Sequence, residues 1–435
     1  MDPAERFGKT AFTVLAVVFL LGYSMGNFFH SGGAVMEEMA EVRPGNISDI
    51  IAAVDNAVVE RMLWRYPLIE CYGRIQLAQG KHEINSFESV KDKAGYLHSG
   101  NFWVGFHDES KELAVRVRRL RDLLAARGTQ VCFIMPPMKV AGEEMRYEGI
   151  PYNDFTGQGD EMLRWLRYYG VPCLDLRQSF KVHGLSYEEA FLKTDHHWTP
   201  RAAFAGFCDM IEWLNGTFGT DFDPENFYRD LDNYTIRTYE RIMLGSQGRN
   251  TGVDYAEGME DYTILIPKDE GDYNWIRGDL KRVEDVGALS RLELLENADA
   301  VNQQADLENL RGSDGLFTET LLKLPQEELE GEEIYHGVAE KTYLEEIMPY
   351  DFIRNNNRTE DGMSVLFLRD SYASPVISFF AQCVSQVEAA WTNQYDSQAM
   401  ESLLARKDYD YVIIMLYPEN LSYEFFPFCE SEELP

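Results

Sequence analysis

The chain opens on an apolar run and then settles into alternating strand-like and helix-like patterns. Thr10 to Met25 (TAFTVLAVVFLLGYSM) is almost wholly apolar and follows Arg6 and Lys9. Extended to Phe29, it reaches roughly 20 residues, the length of a bilayer-spanning helix. The basic flank favours a cytoplasmic N-terminus. Gly22-Tyr23-Ser24-Met25-Gly26 is a poor cleavage site. The run therefore reads as an uncleaved signal anchor in preference to a cleaved signal peptide, with everything after residue 30 outside the cytoplasm. Residues 34 to 66 read as a helical stalk broken near Pro44-Gly45, and Ile69 to Tyr96 as short strands and turns.

Regular alternation follows. Leu113 to Arg127 has an amphipathic helical period stopped by Gly128. Gln130 to Met135 is a short apolar strand closed by Pro136-Pro137. Glu161 to Tyr169 is helical, Val171 to Leu176 a strand, and Pro200 to Phe218 a helix with proline in its first turn. The pattern returns with strands at Ser364 to Leu368, Val387 to Trp391 and Tyr411 to Met415. Helices at Ser374 to Ser385 and Ser397 to Arg406 separate them. Short connections between alternating strands and helices imply a parallel sheet covered by helices on both faces. Such sheets gather functional groups at the carboxyl ends of their strands. Residues 268 to 350 lack clear strand periodicity and read as an insertion, with a helix expected at Arg291 to Leu310.

Composition narrows the function. The 435 residues are 45% hydrophobic, enough for one large core. The formal charge of -33 repels nucleic acid, so no nucleic-acid partner is expected. Cys71, Cys132, Cys173, Cys208, Cys383 and Cys429 show no zinc-ligand spacing. Cys132 and Cys173 lie in apolar runs and read as buried free thiols. No metal and no cofactor is expected.

Two segments carry candidate chemistry. The first is Thr194-Asp195-His196-His197-Trp198-Thr199-Pro200-Arg201. An acid two residues before a histidine can hold one ring nitrogen and leave the other to act as a base. The second is the strand running from Ser364 into Arg369-Asp370-Ser371-Tyr372. A serine at a strand-to-helix turn is exposed as a nucleophile, although the same position also suits a helix cap. Serine needs a base and the base needs an orienting acid. Asp195, His197 and Ser371 supply one of each.

Asp195-His196-His197-Trp198 resembles the signature of the bacterial DHHW proteins, which look related to the SGNH-hydrolase-like domain of the alginate O-acetylation proteins (AlgJ and AlgX types). Leu244-Gly245-Ser246-Gln247-Gly248-Arg249 and Arg369-Asp370-Ser371-Tyr372 resemble two further blocks of that family. The resemblance spans roughly residues 60 to 435. It implies a three-layer, SGNH/flavodoxin-like α/β fold, circularly permuted so that Asp-x-His precedes Ser. The divisions expected are an anchor at 1–30, a stalk and packing segment at 31–95, SGNH-like halves at 96–267 and 351–435, and an insertion at 268–350.

The resemblance also implies a catalytic triad of Ser371, His197 and Asp195. His196 is then a structural or substrate-facing neighbour. Gly245, Ser246, Gly248, Arg249, Asp370 and Tyr372 are candidate substrate or oxyanion groups. Lys139, Tyr152, Asn153 and Asn250 are further candidates, and Arg201 is expected to anchor the loop. One departure stands out, since Arg369 occupies the place of glycine in the usual G-D-S. The implied function is O-acetylation of a cell-surface polysaccharide, with a membrane-bound O-acyltransferase as donor partner. A carbohydrate acetyl-esterase with the same triad and a degenerate glycan-binding scaffold are the alternatives. A metal-dependent DHH phosphoesterase would need further Asp and His ligands on separate strands.

Overall fold

A computed structural model describes residues 3–41, 51, 54, 58–59, 61–100, 109–280, 310–344, 348–358 and 362–430. The chain forms two compact units, Met1–Ala78 and Gln79–Pro435. In the first, one helix runs from Pro3 to Glu41. Its Phe7–Gly33 portion is long and apolar enough to cross a membrane, and its most apolar stretch is not buried. The stalk break expected at Pro44-Gly45 and most of the helix expected at Arg291 to Leu310 lie outside the described residues.

The Ile69 to Tyr96 segment differs from its expectation, because Arg65–Ala78 is a helix. Pro67 sits in its first turn, where a missing N–H costs nothing. Ile69, Cys71, Tyr72 and Ile75 masked the helical period, being residue types common in strands.

Among the described residues the second unit has strands β1 (Glu83–Ile84), β2 (Ser89–Lys91), β3 (Leu97–Ser99), β4 (Gln130–Met135), β5 (Cys173–Asp175), β6 (Tyr234–Met243) and β7 (Glu260–Pro267). They continue as β8 (Tyr273–Gly278), β9 (Leu310–Gly315), β10 (Tyr350–Asn355), β11 (Ser364–Arg369), β12 (Gln386–Trp391) and β13 (Tyr411–Met415). The first three form a small antiparallel sheet, β6 and β7 a separate antiparallel pair, and the remaining eight one sheet in the order β5-β4-β13-β11-β12-β10-β8-β9.

Strands β5, β4, β13, β11 and β12 run parallel. Along β4, Cys132 and Ile134 join one core, while Val131, Phe133 and Met135 join the other. Strands β11 and β13 split the same way, as a two-residue side-chain period requires when both faces are covered. The Pro200–Phe218 and Ser374–Phe380 helices cover one face. The Ser110–Ala125, Thr156–Tyr168 and Ser397–Ala405 helices cover the other.

The expected parallel sheet is extended at one edge by β10, β8 and β9, which pair antiparallel. Two of these strands come from the segment expected to lack strand periodicity. Its strands were hidden because β8 (Tyr-Asn-Trp-Ile-Arg-Gly) is polar at positions that the fold buries. Strand β9 (Leu-Arg-Gly-Ser-Asp-Gly) is a weakly apolar edge strand. All six cysteines are free thiols, with Cys132 buried and Cys173 partly so.

Candidate active site

Ser371 follows the carboxyl end of β11, which lies between β13 and β12 in the parallel part of the sheet. The strand ends at Arg369, and Asp370 caps the turn that follows. The Asp370 carboxylate is fully buried and accepts N–H bonds from Tyr372 at 3.0 Å and Tyr417 at 2.9 Å, and the Asn420 amide at 3.0 Å. Asp370 thus ties the serine turn to the segment after β13 rather than facing a substrate.

The Asp-His-His-Trp segment is a tight loop. Phe191 bridges Trp198, and Thr199 N donates to Ala190 O at 2.8 Å. Thr199 then caps the Pro200–Phe218 helix through Ala202 N at 3.2 Å. Glu260 of β7 accepts Lys193 N at 2.6 Å and Thr194 N at 2.7 Å. The buried Lys139 ammonium donates to Leu192 O at 3.0 Å and to Asp195 O. Burial lowers the Lys139 pKa to about 8, against the pull of Asp195, Glu260 and Asp92.

This loop aligns three side chains. His197 Nδ1 lies 2.6 Å from Asp195 Oδ1, and His197 Nε2 lies 2.7 Å from Ser371 Oγ. With the proton on Nδ1, Asp195 holds the ring and Nε2 accepts from the serine hydroxyl. Asp195 is wholly buried. Burial opposes its charge, but His196, His197 and the N–H of Ser246 outweigh that and hold its carboxyl well below the usual range. Donor atoms of Asp195, His196 and His197 also lie within 4.8 Å of one another, close enough for one ion. The Asp195–His197 contact at 2.6 Å, however, is one that a shared proton makes and that two ligand lone pairs do not.

The other residues of the motif bind the two loops together. Trp198 Nε1 donates to Tyr372 O at 3.0 Å, and Tyr372 hydroxyl donates to His196 O. Tyr372 is buried and stacks on Tyr417 at 4.4 Å. His196 keeps about 32% of its side chain exposed, and its Nδ1 lies 3.3 Å from Ser246 Oγ. Burial and the neighbouring His197 hold its pKa below the ordinary histidine value.

The Gly245 block does not point its N–H groups at Ser371. Gly245 N donates to Thr194 Oγ1 at 2.8 Å, Ser246 N to Asp195 Oδ2 at 2.6 Å, and Gly248 N to Thr194 O at 3.0 Å. Arg249 donates to Leu244 O at 3.4 Å, and Asn250 is exposed. The glycines serve close approach. A Cβ on Gly245 would lie 2.4 Å from Asp195 Cβ and 2.5 Å from Thr194 O. The Gly245 φ of -68° suits any residue, so the effect of a side chain there comes from that contact alone. Gly245→Ala is expected to displace Asp195 and lower turnover of an aryl acetate about 100-fold, with an unchanged far-UV spectrum.

Arg369, the departure from glycine, turns away from the serine. Its guanidinium meets Asp351 Oδ2 of β10 at 2.7 Å, with both side chains wholly buried. Trp275 Nε1 donates to the other Asp351 oxygen at 3.1 Å. Breaking such a pair strands a buried charge. Asp351→Ala is expected to cost about 3–5 kcal/mol, read as a lowered urea midpoint. Replacing both partners by apolar residues should recover much of that loss.

Tyr152 donates to Lys91 O at 2.8 Å. Asn153 lines a polar recess with His98, His196, Tyr417 and Glu419. Arg201 lines a separate surface cleft with His183 and Asp209. Tyr255 is a core residue. Glu260 had no sequence signal, since nothing in β7 marks it as a partner of a loop more than 60 residues away.

Residues 106–222 match the family described as the SGNH hydrolase-like domain of acetyltransferase AlgX. No curated protein sequence matches the chain. Among solved structures, Bacillus cereus PatB1 is similar at TM-score 0.53 and 17% identity, over 78% of this chain and 98% of PatB1. PatB1 with a sulfonyl adduct gives TM-score 0.52 at 17% identity, over 78% and 96% of the two chains. A DHHW family protein from Eubacterium siraeum gives TM-score 0.49 at 13% identity, over 76% and 93%. The similarity to PatB1 is one of fold, and the match to the SGNH hydrolase-like family extends over residues 106–222.

Proposed function

We propose that this SGNH hydrolase-like chain is an extracytoplasmic serine O-acyltransferase that acylates hydroxyl groups of a polysaccharide. The observation that carries this reading is the unbroken series from Ser371 Oγ through His197 to Asp195, at 2.7 and 2.6 Å. The acetyltransferase named in the matching family supports acyl transfer as the reaction class. The apolar Phe7–Gly33 helix supports a place at a membrane, and the acyl donor proposed there is a membrane-bound O-acyltransferase.

In the proposed mechanism Ser371 Oγ attacks the carbonyl carbon of an acyl donor while its proton passes to His197 Nε2. Asp195 stabilises the imidazolium that forms. Collapse of the tetrahedral intermediate breaks the bond to the leaving group, which takes the proton from Nε2 and leaves an ester on Ser371. An acceptor hydroxyl then gives its proton to Nε2 and attacks that ester; collapse of the second intermediate breaks the bond to Ser371 Oγ, which takes the proton back from Nε2. No step needs an oxidant or a metal.

The test uses the full chain in detergent with a chromogenic aryl acetate, read by intact mass and peptide mapping. One acetyl group on Ser371, passed to an added oligosaccharide, is the expected result. Transfer to water alone would favour an esterase. Oligosaccharide binding with no acyl-serine would favour a binding scaffold. The PatB1 structure with a sulfonyl adduct suggests a second probe, because sulfonyl fluorides capture activated serines.

A further inference from the structure

In the first unit a short segment of chain returns to the apolar helix and runs down it toward the N-terminus. Ser31 Oγ donates to Arg61 O at 3.5 Å, Asn27 Oδ1 accepts Leu63 N at 2.8 Å, and the Tyr23 hydroxyl donates to Leu63 O at 2.8 Å. Residues 61 to 64 thus meet positions 31, 27 and 23 in turn, which share one face of the helix. Tyr23 also stacks on Trp64 at 6.0 Å and on Phe19 at 5.9 Å. Trp64 has a φ of 59°, a left-handed backbone that is rare for a bulky side chain. There the chain turns into the Arg65–Ala78 helix.

The apolar helix gives this turn a depth. Phe7–Gly33 can cross a bilayer, and Lys9 marks its basic, inner end. At the rise of an α-helix, Tyr23 lies about 21 Å beyond Lys9 and Asn27 about 27 Å. Both fall in the outer half of a hydrocarbon layer roughly 30 Å thick. Backbone polar groups are not left unpaired at that depth. The N–H and C=O of Leu63 are both paired, by Asn27 and Tyr23, polar residues that a helix serving only to cross the membrane has no need of. The exposed side chains fit the same setting. Trp64 is 60% exposed, and Leu68, Tyr72 and Ile75 are exposed at the spacing of one helix face. Residues 61–78 carry three arginines against one glutamate, in a chain of net charge -33. That local excess of positive charge suits lipid phosphate.

We infer that residues 61–78 are a second membrane contact, with Trp64 dipped into the outer leaflet beside Tyr23 and the Leu68, Tyr72 and Ile75 face laid against phospholipid. The inference rests on Phe7–Gly33 crossing the bilayer. Lipid is the occupant because the exposed face is continuous, through the Tyr23–Trp64 stack, with the surface of the spanning helix. Tyrosine and tryptophan are also the side chains that gather toward the edge of the hydrocarbon. The dip gives the anchor a second point of attachment to the bilayer.

The experiment reconstitutes the full chain in vesicles of phosphatidylcholine and phosphatidylglycerol, with or without bromine on the acyl chains, and reads tryptophan emission. The other six tryptophans follow Ala78 in the sequence, so the difference between wild type and Trp64→Phe isolates Trp64. That difference should lose most of its intensity in brominated vesicles and little to iodide in the aqueous phase. In the Trp64→Phe background, Leu68→Trp should restore an emission that the same lipids quench. Quenching of the difference by iodide and not by bromine overturns the inference and leaves the face to a protein partner. A difference immune to both also overturns it, as burial against a second copy would. In either case, a chain that stays with the vesicles through an alkaline wash leaves the spanning helix standing. Release in that wash overturns both.

Discussion

Ser371→Ala should abolish the acyl-enzyme and lower aryl-acetate turnover on the order of 10⁴-fold or more. The hydroxyl is the only group in the Ser371–His197–Asp195 series able to form the ester, and its 2.7 Å bond to His197 Nε2 is the route by which its proton leaves. His197→Ala should cost a comparable factor, because a serine without its base is a weak nucleophile. The double variant should be little worse than either single one, since the two residues act as a unit. Stability should change by less than about 1 kcal/mol in Ser371→Ala, because the residue is only half-buried. Thermal melts and burst kinetics on the same samples measure both effects. An acyl adduct that persists on another residue in Ser371→Ala would remove the serine from the mechanism.

The parts of this site that could be read from sequence share one property, a local pattern. Strand β11 announces itself as an apolar run ending in Asp-Ser, and the base by its spacing from Asp195 and the helix signal at Pro200. The Pro200–Phe218 helix and strands β4 and β13 have the bounds their patterns predict. Legibility fails where function depends on tertiary approach. Glu260 and Lys139 hold the acid–base loop from distant points of the chain, and neither lies in a pattern that foretells its partner. The Gly245 block was visible as a motif, but its reason was not. It reads as a source of oxyanion donors until Gly245 is seen against the backbone of Thr194 and Asp195. Arg369 was an anomaly in the strand until Asp351, on a strand hidden at the sequence level, provided its counter-charge.

Asp195→Asn should lower acylation about 10⁴-fold with little change in overall structure. The reason is specific to the bonds of this carboxylate. Oδ1 accepts both His197 N at 3.0 Å and His197 Nδ1 at 2.6 Å, and Oδ2 accepts Ser246 N at 2.6 Å. These three partners are donors, so the amide nitrogen of asparagine meets an N–H in place of either oxygen unless a neighbouring ring gives up its proton. Turned toward His197, it drives the ring proton from Nδ1 to Nε2, where it blocks the serine proton. Turned toward Ser246, it sets two N–H groups against each other beside Gly245 and disturbs the loop. The same carboxylate should leave a mark on stability. Its native pKa lies well below the unfolded value near 3.9. A group depressed in this way contributes stability that is present above the unfolded pKa and lost as pH falls through the native one. Denaturation titrations should therefore show that wild type and Asp195→Asn differ most above about pH 4 and converge in stronger acid. A constant difference across the acid range would mean that Asp195 is not held ionised by its neighbours. The orienting role would then belong to its backbone and not to its charge.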